Sequence, residues 1–181
     1  VNILYRVGAR NENPARTGFA HLFEHLMFRG TRAVENFDLP VQMASGDNNA
    51  FTNNDYTDFY ITLPKDNLET ALWLESDRME GLDITPAKLE AEKKVVIEEF
   101  RQRYLNQPYG DQTMLLRALA YKVHPYRWAA IGLATDHIAG ATLADVESFY
   151  RAHYRPSNAI LSISADMEEE RMLELAEKLS L

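Results

Sequence analysis

The stretch Phe19-Ala20-His21-Leu22-Phe23-Glu24-His25-Leu26-Met27-Phe28 most constrains the fold, because a helix built from it is apolar almost all the way round. Such a helix cannot lie on a surface, and other layers must enclose it. Its only polar stripe is His21, Glu24 and His25, spaced three and four apart and so neighbours on one helical face. Burying an ionisable glutamate between two imidazoles costs several kcal/mol unless something pairs with them. Thr17 is the expected N-cap and Gly30 the expected stop, so this short helix is devoted to one inward-facing stripe.

The remainder of the chain supplies what is needed to enclose it. With 181 residues, 46% hydrophobic and 25% charged, the chain can build one sizeable core, and positions 1–181 read as one domain without linkers or repeats. A net charge of −8 without clustered Lys and Arg argues against a nucleic-acid partner. No apolar run approaches 18 residues, so no membrane span is expected. The absence of cysteine excludes disulfides and thiolate ligands, and it is compatible with either cytoplasm or periplasm. Val1, Ile3, Tyr5 and Val7 alternate as one face of a strand; a chain opening in mid-strand without Met reads as a segment of something longer.

Further elements follow from periodicity and punctuation. A short helix is predicted over Leu39 to Ser45, then two short strands joined near Asn53-Asn54-Asp55, the second ending at Pro64. Helices are predicted over 66–82 and from the Thr85-Pro86 start to about Leu105. Another is expected from Gly110-Asp111 through Val123, and one from the Thr142/Asp145 capping box to His153. A strand over Asn158 to Ser164 and a helix over Glu168 to Leu179 close the chain. Strands in separated groups among many helices predict an α+β two-layer domain with a mostly antiparallel sheet.

His21-x-x-Glu24-His25 has the H-x-x-E-H spacing of the inverzincins, in which two histidines grip one zinc ion and the glutamate stands beside it. Five residues alone also fit a solvated helix face, or histidines bonded to backbone. A catalytic zinc needs a third protein ligand and keeps its fourth position for water. Glu92 and Glu99 are seven apart on the Thr85 helix, on one face bordered by Val95 and Val96. Glu98, Lys94 and Arg101 fit an ordinary solvated charge run, although the residues alone leave Glu98 open beside Glu99. His124-Pro125-Tyr126 reads as a structured loop without a ligand role, and His137 and His153 sit near helix ends. Trp73 and Trp128 read as core or interface.

Arg6 to Glu12 and Thr17 to Thr31 together resemble the zinc-helix region of the pitrilysin family, the M16 metallopeptidases, which include insulin-degrading enzyme and the mitochondrial processing peptidase. The similarity extends through Asn49-Ala50-Phe51-Thr52, Glu92 to Glu99, His124-Pro125-Tyr126 and Tyr154-Arg155-Pro156-Ser157-Asn158, essentially the whole chain. The resemblance implies a zinc metalloendopeptidase with one Zn2+ on His21, His25 and Glu99, and Glu24 as general base toward the zinc's water. Glu92 would help hold the site from behind. It further implies an edge strand at Asn49-Ala50-Phe51-Thr52 to which an extended peptide adds, with Asn49 orienting the scissile bond. A homologous second half or partner subunit would close over the peptide and bring an Arg-Tyr pair, so this segment alone is expected to bind zinc but cleave poorly. The alternative is a non-catalytic or structural partner subunit of the same fold.

Overall fold

In the computed structural model, which describes residues 1–178, strand β1 (Asn2–Tyr5) lies between β3 (Thr57–Thr62) and β4 (Ala159–Ser162), with β2 (Asp47–Thr52) outside β3. All three pairings are antiparallel, with Ile3 opposite Phe59 and Leu161, and Ala50 opposite Phe59. Leu179, the expected last residue of the closing helix, lies outside the described residues. The β2–β3 connection forms because the Asn53 side-chain oxygen accepts from Asp55 N at 2.8 Å and Tyr56 N at 2.9 Å, an Asx turn.

The expected alternation of β1 is present. Ile3, Tyr5, Phe59 and Ile61 face the helices and are buried, while Tyr60 and Ile160 point the other way and are exposed. Helices therefore cover one sheet face, which gives two layers. Helix α1 (Phe19–Leu26) lies at the centre of the larger core. Its Leu22, Phe23 and Leu26 are fully buried with Ile3, Tyr5, Val96 and Phe100. Phe23 stacks on Tyr154 with centroids 5.0 Å apart and on Phe149 at 5.5 Å. Each such side chain contributes about 1.5–3 kcal/mol by leaving water.

Helix α2 (Asp38–Met43) and helix α3 (Leu68–Glu80) enclose a second cluster of Val34, Phe37, Val41, Ile61, Ala71 and Leu74. At its edge an ion pair between Glu75 and Arg78 is wholly buried. The Arg78 guanidinium sits 4.3 Å from the ring centres of both Phe37 and Phe59, and 5.7 Å from that of Phe28. Cation–π contacts thus replace part of the hydration this charge gives up.

The start of α1 differs from expectation. Its N-cap is Gly18, with φ of 94°, and Thr17 is one residue too early. The Thr17 hydroxyl is engaged elsewhere, 2.9 Å from His137 Nδ1 and accepting from Leu133 N at 2.8 Å. Glycine is required at position 18 by its left-handed backbone, and a Cβ there would also meet the Ile131 carbonyl oxygen at 2.7 Å. The capping acceptor comes from Glu12, whose carboxylate receives Gly18 N and Ala20 N at 2.9 Å each and Trp128 Nε1 at 3.0 Å. A negative group at a helix N-terminus is favourable, since the first N–H groups have no partner within the helix. Burial nevertheless pushes the Glu12 carboxyl up to about 8, with these N–H bonds pulling the other way.

Helix α4 (Pro86–Phe100) begins as expected, with the Thr85 side chain accepting from Lys88 N at 3.2 Å. It continues to Leu105 through one π-helical turn, Arg101–Leu105, closed by Asn106 N donating to Arg101 O at 2.8 Å. Helix α5 (Gln112–Ala120) stops three residues before the expected Val123, because Tyr121 takes an extended conformation. Helix α6 (Thr135–Ala139) was not expected, being too short to show a period. Helix α7 (Leu143–His153) carries the expected Thr142/Asp145 capping box, β4 is shorter than the 158–164 pattern, and helix α8 (Glu169–Lys178) ends the described chain.

Candidate metal centre

Helix α1 packs against α4 and β2, and this brings the polar stripe of one helix against the Glu92/Glu99 face of the other. The sheet and α7 occupy the apolar sides of α1, which leaves the stripe as its only open side. His21 is buried, whereas Glu24 and His25 are half-buried, so the stripe lines the wall of a cleft where the sequence implied full enclosure.

Among the described residues, His21, His25 and Glu99 each offer one ligand atom, and these atoms all lie within 4.8 Å of one another. Glu99 Oε2 is 3.5 Å from His21 Nε2 and 3.4 Å from His25 Nε2. These distances lie at the long end of the hydrogen-bond range. They match the roughly 3.3 Å that separates two donors held about 2 Å from a tetrahedral metal. Two imidazoles and a carboxylate are also a common catalytic zinc donor set, so the residues present fit the ion.

Two of the three donors, His25 and Glu99, are held from behind. Glu92 Oε2 lies 3.3 Å from His25 Nδ1, and Glu92 Oε1 pairs with Arg29. Glu99 Oε1 pairs with Arg103 Nη2 at 2.9 Å. Fixing Nδ1 fixes the tautomer, which leaves Nε2 free to ligate. His21 Nδ1 is buried with no hydrogen-bond partner among the described residues, so the two histidines are unequally supported. Glu98 faces solvent, 3.4 Å from Gln102 Nε2 and 3.7 Å from Arg101 Nη1. Of the two adjacent glutamates, Glu99 alone meets the histidines.

The electrostatics show a site short of positive charge. Burial outweighs the attraction of Glu99 and lowers His21 to about 4, which keeps it neutral. Burial acts in the same sense on His25, but its hydrogen bonds to Glu92 and Glu99 prevail and lift it to about 9. The hydrogen bond from His25 is the largest influence on Glu99 and lowers it. Glu92 is lowered despite its burial, by His25 and Arg29 together. Glu24, outside the ligand group, has its carboxyl raised chiefly by burial while a hydrogen bond to Thr52 opposes this.

Thr52 ends β2, which pairs with β3 alone and is therefore an edge strand among the described residues. Asn49 Oδ1 accepts from Ala50 N at 2.8 Å, and Phe51 is exposed. On the other side of His25 opens a cleft of about 950 Å³ lined by Phe28, Arg29, Met43, Trp73 and Glu92 among others. Trp73 is a cleft wall, 40% exposed, whereas Trp128 is core. His124 caps a short turn by accepting from Tyr126 N at 3.2 Å, and His153 packs on Phe149 at 4.7 Å. Sequence reasoning missed Arg29 and Arg103. Arg103 carried a signal, because it follows Glu99 by four residues on the same helix.

The fold is thus an antiparallel sheet backed by helices, with a His-His-Glu trio between two of them. The model of the family described as insulinase (peptidase family M16) matches residues 1–129, and that described as the peptidase M16 inactive domain matches residues 140–180. The chain belongs to the M16 family and corresponds to its N-terminal half. It is 36% identical over 180 residues to the zinc protease PqqE of Helicobacter pylori, covering 98% of this chain and 40% of that protein. It is 24% identical over 183 residues to a probable mitochondrial-processing peptidase subunit beta of Arabidopsis thaliana, covering 99% of this chain and 34% of that one. A crystal structure of a protease from Helicobacter pylori superposes with a TM-score of 0.94 at 35% identity, covering 99% of this chain and 44% of that chain. The chain thus spans less than half the length of the curated relatives it matches. No helix among the described residues is long and apolar enough to cross a membrane.

Proposed function

We propose that this chain is the zinc-binding part of an M16-type metalloendopeptidase, with His21 Nε2, His25 Nε2 and Glu99 Oε2 holding one zinc ion. The observation that carries the reading is the convergence of these three atoms from two helices within 4.8 Å. When bound, zinc supplies Lewis acidity, which polarises a peptide carbonyl and brings water toward ionisation near neutral pH.

The remaining work falls to the chain's own residues. Glu24 stands one helical turn from His21 on the same face and accepts the proton of the attacking water at its carboxylate, then delivers it to the leaving amine nitrogen. Its burial, which raises the carboxyl, makes it a better base than an exposed glutamate. Glu92 keeps His25 in the tautomer with Nε2 free. The edge of β2 at Asn49-Ala50-Phe51-Thr52, which pairs with no strand but β3 among the described residues, offers main-chain groups to an extended peptide, laid beside Glu24 by way of Thr52. The substrate is therefore a peptide in strand conformation. A homologous second half or partner subunit closes over it, in keeping with the small share of its relatives that the chain spans. A non-catalytic subunit of this fold would have no use for Glu24 beside an intact ligand trio.

The test is Glu24→Gln in the complete protein, second half included. It should keep its zinc and lose about 10²–10⁴-fold in kcat on an unstructured peptide. Turnover within a few-fold of wild type would overturn the assignment of Glu24.

A further inference from the structure

We propose that Arg103 is a positioning residue for Glu99, holding one carboxylate oxygen so that the other alone is presented to the two histidines. The inference rests on the zinc reading above and adds to it a device that keeps the metal's fourth position open.

The Glu99 carboxylate is divided between two duties. Oε1 accepts from Arg103 Nη2 at 2.9 Å, while Oε2 lies 3.5 Å from His21 Nε2 and 3.4 Å from His25 Nε2. A carboxylate without such a partner can rotate and offer both oxygens to one cation. A second oxygen would occupy the position that a catalytic zinc keeps for water. A guanidinium bond on Oε1 opposes that rotation at a modest cost in charge donated toward the ligand trio.

Arg103 has no evident structural duty. Its side chain is 66% exposed against 21% for Glu99, so it reaches the carboxylate from the solvent side. It sits in the π-helical turn that follows Glu99, closed by Asn106 N donating to Arg101 O at 2.8 Å. Turns of this kind recur at functional sites. Arg101, in the same turn, lies 3.7 Å from Glu98 and takes no part, which makes it an internal control. On the other carboxylate the pattern repeats, with Arg29 on Glu92 Oε1 while Oε2 faces His25 Nδ1.

The experiment compares the wild-type chain with Arg103→Met, Arg103→Gln and Arg101→Met by zinc affinity, measured in competition with a chromophoric chelator, and by the visible spectrum of the cobalt(II) form. Four-coordinate cobalt absorbs far more strongly than five- or six-coordinate cobalt, so the spectrum reports a second carboxylate oxygen joining the metal. Both Arg103 variants should lose cobalt absorbance, bind zinc no more weakly than wild type because a neighbouring positive charge is removed and a second carboxylate oxygen joins the metal, and melt at the wild-type temperature without metal. Arg101→Met should match wild type in all three. The two Arg103 variants serve as replacements for each other should one fail to fold. Wild-type cobalt spectra in the Arg103 variants, or zinc binding weakened by both of them, would overturn this inference and leave the zinc reading standing. A wild-type chain that takes up neither metal would overturn both.

Discussion

Helices α1 and α5 are of similar length and both rich in leucine, yet they sit in opposite circumstances. Leu22 and Leu26 on α1 have no exposed surface, whereas Leu115, Leu116 and Leu119 on α5 are 58%, 62% and 70% exposed. Helix α1 is enclosed by the sheet, α4 and α7, and its N-terminus is capped by Glu12. Helix α5 has no side-chain cap, and Arg117 ties it by donating to Asn54 Oδ1 at 2.8 Å and Tyr126 O at 3.2 Å. An apolar pattern thus states that a face would gain from cover, and the tertiary surroundings decide whether it has any. The helix whose apolar sides are covered is the one that carries the two imidazoles of the candidate site, so its rigidity is passed to them.

Three substitutions test that contrast. Phe23→Ala removes a fully buried ring that stacks on Phe149, Tyr150 and Tyr154, and should cost about 3–5 kcal/mol in denaturant unfolding. A smaller loss would mean that α1 is less firmly enclosed than its burial indicates. Glu12→Gln replaces an oxygen that accepts an N–H bond by an NH2 group that cannot accept, and should cost about 1–3 kcal/mol at pH 5. The Glu12 value of about 8 lies above its ordinary 4.5, so ionisation of this group opposes folding. Its contribution is present in full below about 4.5 and is lost as pH rises toward 8. The stability gap between wild type and Glu12→Gln should therefore narrow from pH 5 to pH 8; a widening gap would show that the N–H bonds outweigh burial. Leu119→Ala on α5 should change stability by no more than about 0.5 kcal/mol, as expected for an exposed position. A loss comparable to that of Phe23→Ala would erase the distinction between the two helices.

Local signals were legible in the sequence, and long-range ones were not. The apolar surround of His21 and His25 marked α1 as enclosed, while the residues alone left Glu98 open beside Glu99 and only the resemblance to the M16 family selected Glu99, the glutamate that does face the histidines. The strand alternation, the Asx turn and the Thr85 and Thr142 caps are likewise written within a few residues of where they act. Glu12 was not legible, because its partner Trp128 is 116 residues away. Neither was the buried Arg78, whose cover comes from aromatic rings on α1's trailing loop, the α2 approach and β3. Thr17 had the right chemistry for a cap one residue too early, since its hydroxyl is held by the distant His137 and Leu133. The apolar content of α5 is legible in the sequence but its surroundings are not, and among the described residues Leu115, Leu116 and Leu119 stay exposed.

Zinc titration of the purified chain alongside its Glu99→Ala and Glu98→Ala variants tests the central claim most directly. One equivalent of zinc should bind tightly to wild type and to Glu98→Ala, with Glu99→Ala losing it. Equal zinc binding by Glu99→Ala and wild type, or none by any of the three, would contradict the convergence of α1 and α4 on a single ion.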